Sequence, residues 1–540
     1  MTILTAIFVL VICGAASATS YTDLYVSPTG NDSYSGNDSL HPAQTIGHAL
    51  TYVNDGSTVH LANGIYSGTG NTNLTINKNM AIKGQSQTGT IINGTGTNWI
   101  FQITSGINVT IVNLTLTNGT WTNAGGAIHS NGNLNVKNVT FTDNTANDGG
   151  AIENYNGNLT VTGSTFTGNT ANYNGGAIHN DHSNLTVTNC IFTNNNASSA
   201  FNGGGAIHSD FSNCTITGST FTNNSATHSG GAIINNDGGN LTITNSNFTG
   251  NKATYGGAII TNGALTVTSS TFTGNNATDL GGAIYSEGIS NVHFNRIVGN
   301  NASQGSDVYL GIGTIDAKYN WWGSNNGPDT TKIHGTVDSS RWLILTLNIT
   351  SPVQTNSNSK ITADLRYDNT GVLHTEAYLP NGILVSFTTN LGTIGSQSTT
   401  VNGIAKTTLK SSELGSANIL TKLDNQTLNK SIKIVDIIPP KVTSTYPKKN
   451  SKNVSRTKKI TIKFSEKIKK SSKWSKVYVK NKYGKKVKIS KSISGKYLYI
   501  KTAKKSSQSY YTVYIPASAV KDYAGNKLAK KYTYKFKTKK

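Results

Sequence analysis

The tetrapeptide Gly-Gly-Ala-Ile recurs seven times between residues 125 and 284 of this 540-residue chain. A repeat of this kind constrains the fold strongly, because each unit must form the same structure and pack against its neighbours. Successive copies lie 24 to 29 residues apart and begin at Gly125, Gly149, Gly175, Gly204, Gly230, Gly256 and Gly281. The chain is therefore expected to stack similar units into an elongated array.

A second motif, Phe-Thr-x-Asn, alternates with the first one. Its phenylalanines are Phe141, Phe166, Phe192, Phe221, Phe248 and Phe272, and its asparagines are Asn144, Asn169, Asn195, Asn224, Asn251 and Asn275. We expect a degenerate seventh copy at Phe294. Between the motifs lie segments such as Leu159-Thr-Val-Thr, whose alternation of apolar and polar residues is typical of a strand with one buried face.

Three short strands separated by glycine and asparagine turns require about 25 residues, which is one coil of a parallel β-helix. Equivalent residues of successive coils then lie about 4.8 Å apart. We therefore predict that the six phenylalanines form an inward column of rings. We also predict that the six asparagines form a ladder of hydrogen-bonded amides at a turn. Helical repeats are disfavoured, because the chain is only 13% charged and the repeats are poor in Glu and Lys.

The segments on either side of the regular repeats resemble the ends of the same solenoid. Residues 22–118 contain less regular alternating runs, and residues 45–53 have the apolar spacing of a short helix that would cap the open core. The aromatic segment Tyr-Asn-Trp-Trp-Gly at 319–323 would close the other end. We therefore assign residues 19–325 to a parallel β-helix with an N-terminal cap.

The period disappears after Trp342. Short alternating runs separated by Asn-Gly turns predict a β-sandwich at residues 342–437 and a second one at 438–540. Residues 441–540 contain 30 Lys and one Arg against two acids, a net charge of +29, so the net charge of +22 for the whole chain leaves −7 for residues 1–440. Lysines alternate with Tyr, Ile and Val in the second module, so we expect their charges on its outward faces.

Residues 1–18 have the pattern of a cleaved signal peptide. An apolar run at residues 3–13 precedes Ala16-Ser17-Ala18, which matches an A-x-A cleavage site. The sequence thus predicts a secreted cell-surface or cell-wall protein without a transmembrane segment in its mature chain. Sequons such as those at Asn73, Asn108 and Asn158 make it a candidate glycoprotein.

The cysteines Cys190 and Cys214 predict no disulfide. Alignment of the repeats places Cys214 in the slot of Leu185 and Cys190 in the slot of Ser219, about 16 Å apart along a strand. Both are expected to act as small buried apolar side chains.

Three parts of the sequence resemble known families. The paired Gly-Gly-Ala-Ile and Phe-x-x-Asn motifs resemble repeats of chlamydial-type polymorphic outer-membrane proteins and of β-helical adhesin-like proteins of methanogenic archaea. Residues 342–437, with Pro-Asn-Gly-Ile-Leu-Val-Ser-Phe at 380–387, look like an invasin/intimin-type bacterial Ig-like domain. Residues 438–540, with Ile-Lys-Phe-Ser-Glu at 462–466, resemble the Ig-like modules of S-layer proteins. The resemblance implies surface display and adhesion, and it supplies no catalytic residues.

The predicted fold class is therefore all-β. It consists of a right-handed parallel β-helix, similar to the pectin-lyase solenoid, followed by two Ig-like β-sandwiches. The predicted function is that of a non-enzymatic, adhesin-like surface protein, in which the Ig-like modules act as spacers for a β-helical binding rod. A purely structural envelope component is an open alternative.

A carbohydrate-active β-helix enzyme is the other open alternative. Hydrolysis needs two carboxylates facing one bond, and lyases need a base beside an acidic cluster. The acids of the repeats are mostly single residues expected in turns, and the closest pair, Asp148 and Glu153, has no basic partner in the same coil. The sequence therefore predicts no catalytic residues and no cofactor. The six phenylalanines and six asparagines of the Phe-Thr-x-Asn motif are expected to have a structural role.

The residue after each Gly-Gly-Ala-Ile leaves one question open. These residues are His129, Glu153, His179, His208, Ile234, Ile260 and Tyr285. In register, the first four would form a column of ligand-capable side chains that could hold a soft divalent metal. The interpretation we favour is a solvated outer column without metal, because Ile and Tyr occupy the later positions.

The predicted partners are polysaccharides or glycoproteins of a host, a neighbouring cell or the cell wall. The strongly basic module at 441–540 is expected to contact an anionic envelope polymer through many weak, salt-sensitive interactions. Nucleic acid is not an expected partner, since the module has no recognised nucleic-acid-binding motif and the chain is predicted to be exported.

Overall fold

The computed structural model describes residues 21–540, so the predicted signal peptide lies outside the described residues. Strands dominate this part of the chain, and the only α-helix within residues 21–540 is Ile46–Leu50. No helix in the described segment has the length and apolar character needed to cross a membrane.

Two long parallel sheets form neighbouring walls of the solenoid. The first sheet has 13 strands: Tyr21–Val26, Val53–Leu61, Met80–Gly84, Asn108–Val112, Asn133–Lys137, Leu159–Thr162, Leu185–Thr188, Cys214–Thr217, Leu241–Thr244, Leu265–Thr268, Ile289–His293, Thr314–Asp316 and Val337–Asp338. The second sheet has 10 strands: Gly64–Ser67, Thr90–Asn93, Thr115–Thr117, Thr140–Thr142, Thr165–Thr167, Ile191–Thr193, Thr220–Thr222, Asn247–Thr249, Thr271–Thr273 and Arg296–Val298.

A third long sheet completes the coil, and a fourth, shorter sheet follows the second in each repeat. The third sheet has 11 strands: Leu74–Ile76, Phe101–Ile103, Ile128–Ser130, Ile152–Tyr155, Ile178–Asp181, Ile207–Asp210, Ile233–Asn235, Ile259–Thr261, Ile284–Ser286, Val308–Leu310 and Ile333–His334. The fourth sheet has seven strands: Thr120–Trp121, Thr145–Ala146, Thr170–Ala171, Asn196–Ala197, Ser225–Ala226, Lys252–Tyr255 and Asn276–Leu280.

The pairing between coils confirms the parallel β-helix. Leu159 pairs with Leu185 in parallel register, and Leu185 pairs in turn with Cys214. Alternate residues of each strand face a common core, so the pattern of apolar residues in the sequence matches the buried pattern in the strands. The sequence predicted three strands per coil, whereas the fourth sheet adds a strand of two to five residues in seven coils.

The cysteine prediction is confirmed as well. Cys190 and Cys214 are free and buried. The backbone N–H of Cys190 donates to the hydroxyl of Ser219, which places it in the expected slot. Burial raises the pKa of the Cys190 thiol to about 11 and that of Cys214 to about 12, so both thiols stay protonated at neutral pH.

The N-terminal helix covers the beginning of the core. Thr45 precedes the helix Ile46–Leu50, and its hydroxyl accepts a hydrogen bond from the backbone N–H of His48. Ile46 and Ala49 are fully buried in the solenoid core. At the other end, the solenoid extends beyond the expected limit at residue 325, since the third sheet reaches His334 and the first sheet reaches Asp338.

The expectation that Phe294 is a seventh member of the phenylalanine column is wrong. Phe272 pairs with Ile297, which therefore takes the equivalent position in the next coil. Phe294 lies instead at a turn with φ of 57° and stacks on Tyr319. Its ring packs into the core of the following sandwich, so a phenylalanine at nearly the right spacing serves the joint between two parts of the chain.

The first sandwich consists of two antiparallel layers around a core that includes Phe387. One layer contains Leu343–Ile349, Ser359–Asp368, Ile404–Lys410 and Thr393–Ile394. The other contains Val353–Gln354, Gln426–Val435, Gly415–Leu423, Leu384–Thr389 and Gln397–Thr399, with one parallel pair at its edge.

The second sandwich has its own core, with Phe464 and Phe536 fully buried. Its four-stranded sheet contains Val442–Tyr446, Ile460–Phe464, Tyr497–Thr502 and Ile489–Ser494. Its smaller sheets contain Tyr478–Lys480, Tyr510–Ile515 and Tyr532–Lys537, and the pair Lys469–Lys470 and Val520–Lys521. Two 3-10 turns, Thr330–Lys332 before the sandwiches and Trp474–Lys476 within this one, complete the elements.

Tight contacts join the solenoid to the first sandwich. Trp321 is fully buried in the sandwich core, whereas the adjacent Trp322 packs against the solenoid core. The indole N–H of Trp321 donates to the carboxylate of Asp424 at 2.7 Å, and the guanidinium of Arg296 pairs with the same carboxylate. The aromatic segment expected to close the solenoid therefore also attaches it to the next domain.

Candidate functional site

The six predicted phenylalanines form a single file of stacked rings inside the solenoid. Each of them is fully buried. Successive ring centroids are 4.6 to 4.8 Å apart and successive ring planes differ by 1° to 5°. Because no ring reaches the surface, this column stabilises the rod and cannot contact a ligand.

The six predicted asparagines form a buried ladder beside the second sheet. The amide Nδ2 of each one donates to Oδ1 of the next at 2.9 to 3.0 Å, from Asn144 to Asn275. Each amide also donates to a backbone carbonyl of the preceding coil, as Asn224 does to Phe192. The ladder therefore satisfies the polar groups of the turn in the absence of water.

The structure adds members to this ladder that the sequence reasoning missed. Asn275 donates to Asn300, and Asn300 donates in turn to Oδ1 of Asp307 at 3.2 Å. Asp307 occupies the position of Ala283, because Ile284 pairs with Val308. The available signal was Gly-Ser-Asp-Val at 305–308, an altered Gly-Gly-Ala-Ile that begins 24 residues after Gly281.

The residues that directly follow each Gly-Gly-Ala-Ile motif lie in register from coil to coil, as predicted. The expectation that their side chains are solvated is wrong. Backbone pairing aligns His129 with Glu153, Glu153 with His179, and His179 with His208. The side chain of His208 is completely buried, and that of His179 is 10% exposed. These side chains point away from the core, as the alternation predicted, and are nevertheless shielded from water.

The fourth sheet and the loops beside it explain this burial. The indole of Trp121, in the first strand of that sheet, contacts the ring of His129 edge-on at 5.4 Å. The carbonyl of Gly203, just before a Gly-Gly pair, accepts a hydrogen bond from Nδ1 of His208. The signal for this extra layer was a small residue two positions after each ladder asparagine, always an alanine in the repeats, as in Asn144-Thr-Ala146.

Acidic side chains join the same column. Nδ1 of His129 lies 2.7 Å from Glu153 Oε2, and Nε2 of His208 lies 2.8 Å from Asp210 Oδ1. His179 stands between them, 3.7 Å from Glu153 Oε1 and 3.6 Å from Asp210 Oδ2. The idea that the acids of the repeats are isolated in turns fails for Glu153 and Asp210. The histidine partners of Glu153 come from the two neighbouring coils, whereas Asp210 has His208 on its own strand and His179 in the coil before it. We call His129, Glu153, His179, His208 and Asp210 the histidine–carboxylate column.

The charges of this column are strongly coupled. Burial lowers the pKa of His179, but Asp210 and Glu153 outweigh it and raise that pKa to about 10. Burial opposes ionisation of Asp210, yet the contacts with His179 and His208 hold its pKa well below the ordinary value. Asp148 lies close by, and burial raises the pKa of its carboxyl. The arrangement therefore favours ionised carboxylates at Glu153 and Asp210 on either side of a protonated His179.

An exposed aromatic groove lies at the turn after the third sheet. The ring of His182 stacks on Phe211 with centroids 4.6 Å apart, and Tyr155 meets His182 edge-on at 5.9 Å. Phe211 is 57% exposed and Tyr155 is 40% exposed. The adjoining depression of about 370 Å³ is lined largely by side-chain amides and hydroxyls: Asn156, Asn158, Ser183, Asn184, Ser212 and Asn213.

The backbone of this groove follows a turn that recurs in four successive coils. His182 has φ of 51° and Phe211 has φ of 49°, in the left-handed region, and the equivalent residues Asn156 and Asp237 have φ of 61° and 56°. The turn of the solenoid therefore sets this conformation. His182 and Phe211 differ from the other two residues in the exposed rings that they place there.

The second sandwich presents its lysines outward. In the turn after Tyr478–Lys480, Lys482, Lys485 and Lys486 are exposed. Lysines also lie over aromatic rings, as Lys459 does over Tyr499 at 3.9 Å. Lys505 is an exception, since it is 2% exposed and its Nζ donates to the carbonyl of Lys458.

A small acidic cluster lies where the two sandwiches meet. The carboxyls of Asp436, Glu466 and Asp522 approach one another, and burial together with the two aspartates raises the pKa of Glu466. Both oxygens of Asp522 already accept hydrogen bonds from Gly525 and Asn526. This carboxylate therefore shapes its own loop.

Comparison with family models identifies two kinds of module. Residues 138–155, 163–181, 218–236 and 269–287 match the Chlamydia polymorphic membrane protein repeat. Residues 436–538 match a bacterial Ig-like domain. Each of the four repeat matches contains a Gly-Gly-Ala-Ile motif and the Phe-Thr-x-Asn motif that precedes it. No curated protein is similar enough to the chain to count as a relative.

Solved structures show similarity at low sequence identity. The adhesin InvE of Yersinia pseudotuberculosis is 13% identical, with a TM-score of 0.19, over 36% of this chain and 60% of its own. The D0–D1 domains of intimin are 16% identical, with a TM-score of 0.15, over 35% of this chain and 98% of theirs. Domains 5–6 of the S-layer protein SbsC are 16% identical, with a TM-score of 0.14, over 36% of this chain and 98% of theirs. The chain thus combines a solenoid bearing polymorphic-membrane-protein-type repeats with a bacterial Ig-like domain.

Proposed function

We propose that this is a secreted, adhesin-like surface protein without enzymatic activity, in which a rigid solenoid presents a glycan-binding surface and the sandwiches separate it from the envelope. The observation that carries the proposal is the exposed aromatic groove formed by Tyr155, His182 and Phe211. Aromatic rings beside several amides offer an apolar platform and hydrogen bonds, which together suit a sugar ring. The ordered core below holds these groups at fixed spacing.

The rod would act through several weak contacts. Outward threonines and asparagines recur in each coil, as Thr160 pairs with Thr186 and Thr186 with Thr215 on the first sheet. Such repeated groups add avidity to a single aromatic groove when the ligand is a polymer. The partner class is therefore a polysaccharide or glycoprotein of a host, a neighbouring cell or the wall.

Glycan arrays and whole-cell binding with the full chain test this role. We expect Phe211→Ala to lower binding at least tenfold, because the stacked platform is lost. Tyr173→Ala is the matched control, since Tyr173 is also an exposed aromatic residue, at 54%, but is not part of the groove. Equal binding by the two variants, or release of products from a polysaccharide, would contradict the proposal.

The basic sandwich would hold the protein to an anionic envelope polymer. The supporting observation is the outward placement of Lys482, Lys485 and Lys486, whose charges reach solvent. Such contacts are screened by salt. We expect the full chain to bind isolated cell walls at low ionic strength and to elute as salt rises.

A charge-matched pair of variants separates this site from general basicity. Replacing Lys482, Lys485 and Lys486 by Gln should lower the salt concentration needed for elution. Replacing Lys406, Lys410 and Lys422 by Gln removes the same charge from exposed positions of the first sandwich. This variant should elute at the same salt concentration as the unmodified protein. If the protein stays bound to the cell walls at high salt concentration, the electrostatic contact is ruled out.

N-terminal sequencing of the secreted protein tests export, with Thr19 as the expected first residue.

A further inference from the structure

We propose that the histidine–carboxylate column binds one divalent transition-metal ion of the zinc type, through Nε2 of His179, Nε2 of His208 and the carboxylate of Asp210. One ligand atom from each of these residues lies within 4.8 Å of the others. His179 belongs to one coil of the solenoid, and His208 and Asp210 belong to the next. The ion would therefore link two adjacent coils.

The first reason is that His179 has no hydrogen-bond partner although it is buried. Neither of its ring nitrogens makes a hydrogen bond, and the residue is only 8% exposed. A buried imidazole normally satisfies both nitrogens. The 3.6 Å between Nε2 and Asp210 Oδ2 is too long for a hydrogen bond. It is close to the ~3.3 Å that separates two ligand atoms on one tetrahedral ion with bonds of about 2.0 Å.

The second reason is the orientation of His208. Its Nδ1 lies 3.2 Å from the carbonyl of Gly203, which only accepts hydrogen bonds, so Nδ1 carries a proton. In the neutral ring, Nε2 then presents a lone pair directly to Oδ1 of Asp210 at 2.8 Å. Two facing lone pairs need a cation between them, either a proton or a metal ion.

The third reason is that each of the two ligand histidines directs its other ring nitrogen at an oxygen acceptor, as metal-bound histidines usually do. Metal-bound histidines generally direct their other nitrogen at a carbonyl or a carboxylate. Here Nδ1 of His208 faces the Gly203 carbonyl and Nδ1 of His179 faces Glu153 at 3.7 Å. Glu153 is held in turn by His129 at 2.7 Å. Both ligand histidines would thus offer Nε2 to the same ion.

The ligand types indicate the class of ion. Two imidazole nitrogens and one carboxylate suit zinc and its neighbours among the transition metals better than Ca²⁺ or Mg²⁺, which prefer oxygen ligands. The carboxylate of Asp210 is 17% exposed, so the ion can enter from solvent and water can complete four ligands. Without metal, the column would be held by protons on its histidines, and this is the outcome that the experiment must distinguish.

The experiment uses the full chain without a histidine tag, stripped of metal by a chelator and then titrated with ZnCl₂. We expect one equivalent to bind and the unfolding temperature to rise. Asp210→Asn and His208→Asn should abolish binding and the shift. His182→Gln is the matched control, because His182 is nearby but exposed and should leave both unchanged.

Two further measurements keep the proposal falsifiable if a variant folds poorly. Co²⁺ bound to the wild type should give the visible absorption bands of a tetrahedral site with nitrogen ligands. Glu153→Gln should weaken Zn²⁺ affinity about 10- to 100-fold without changing the stoichiometry. A wild-type chain that binds no Zn²⁺ and shows no shift, or a shift that persists in Asp210→Asn, would overturn the site in favour of protonated histidines.

Discussion

The amide of Asn300 donates a hydrogen bond to the carboxylate of Asp307 at 3.2 Å, and this contact ends the asparagine ladder of the solenoid. Asp307 is 5% exposed. Burial raises the pKa of its carboxyl to about 6, although the bond from Asn300 opposes the rise. The last acceptor of a ladder otherwise built from neutral amides is therefore an acid that is costly to ionise.

This cost predicts a pH dependence of stability. The unfolded carboxyl ionises near its ordinary pKa of 3.8 and the folded one near 6, so folding becomes less favourable as pH rises between these values. Asp307→Asn keeps the acceptor and removes the charge. We expect it to raise the free energy of unfolding by up to about 3 kcal/mol at pH 8 and to have little effect at pH 4.

Chemical denaturation at the two pH values measures this effect. Asp279→Asn serves as the control, because Asp279 is only half-buried on a strand of the fourth sheet. If Asp307→Asn stabilises the protein equally at pH 4 and pH 8, the ionisation of Asp307 is not the cause.

The interior of the ladder predicts a large effect for the loss of one amide. Asn224 accepts from the backbone N–H and Nδ2 of Asn195 and donates to the carbonyl of Phe192. In Asn224→Ala these buried partners have no replacement, and we expect a loss of about 3–6 kcal/mol, since each unpaired group costs about 1–3 kcal/mol. Thermal unfolding followed by circular dichroism measures it.

The matched control for this variant is Asn301→Ala. Asn301 also donates from Nδ2 to a neighbouring asparagine, Asn276, at 2.7 Å, but on the exposed surface. Its loss should stay within about 0.5 kcal/mol, because water replaces the bond. Similar losses in the two variants would show that burial does not give the ladder its strength.

The ring column predicts a cavity effect. Phe221→Ala removes a fully buried ring that stacks on Phe192 at 4.7 Å and on Phe248 at 4.8 Å. We expect a loss of about 3–5 kcal/mol in denaturant titration. Phe211→Ala, at an exposed ring, should change stability by no more than about 0.5 kcal/mol. A small loss for Phe221→Ala would mean that the coils collapse around the missing ring.

One buried carboxylate accepts two charged or polar contacts across the joint between the solenoid and the first sandwich. Asp424 is 9% exposed at its side chain and pairs with Arg296 and with the indole of Trp321. Asp424→Ala leaves the guanidinium of Arg296 with Thr273 as its remaining side-chain partner and removes the acceptor of the fully buried Trp321 indole, and we expect a local loss of about 3–5 kcal/mol. Calorimetry should then show the solenoid and the sandwich unfolding in separate transitions.

A control at an exposed carboxylate separates the joint from general charge effects. Asp338 pairs with Lys318 at 2.7 Å near the end of the solenoid, but its side chain is 48% exposed. Asp338→Ala should leave a single transition if the wild type has one, because exposed pairs contribute little. Coupled unfolding in Asp424→Ala would show that the other contacts across the joint, such as the packing of Trp321 and the hydrogen bond from Ser269 to the carbonyl of Tyr378, hold it without this carboxylate.

The sequence determined the parts of this protein that follow from its period. Because each coil returns to the same angular position, Phe192 must lie on Phe166 and Asn195 on Asn169, and Cys214 must replace Leu185. The alternation within each strand likewise decided which side chains face the core. No knowledge of distant contacts was needed for these predictions.

Only the tertiary structure decided what covers the outward faces. The alternation correctly turned His179 and His208 away from the core, but whether they meet water depends on the fourth sheet and on loops such as the one containing Gly203. The position of Phe294 was decided in the same way, by its contact with a separate domain. Periodicity specifies direction within one coil, whereas burial of an outward side chain depends on chain segments whose path the repeat does not encode.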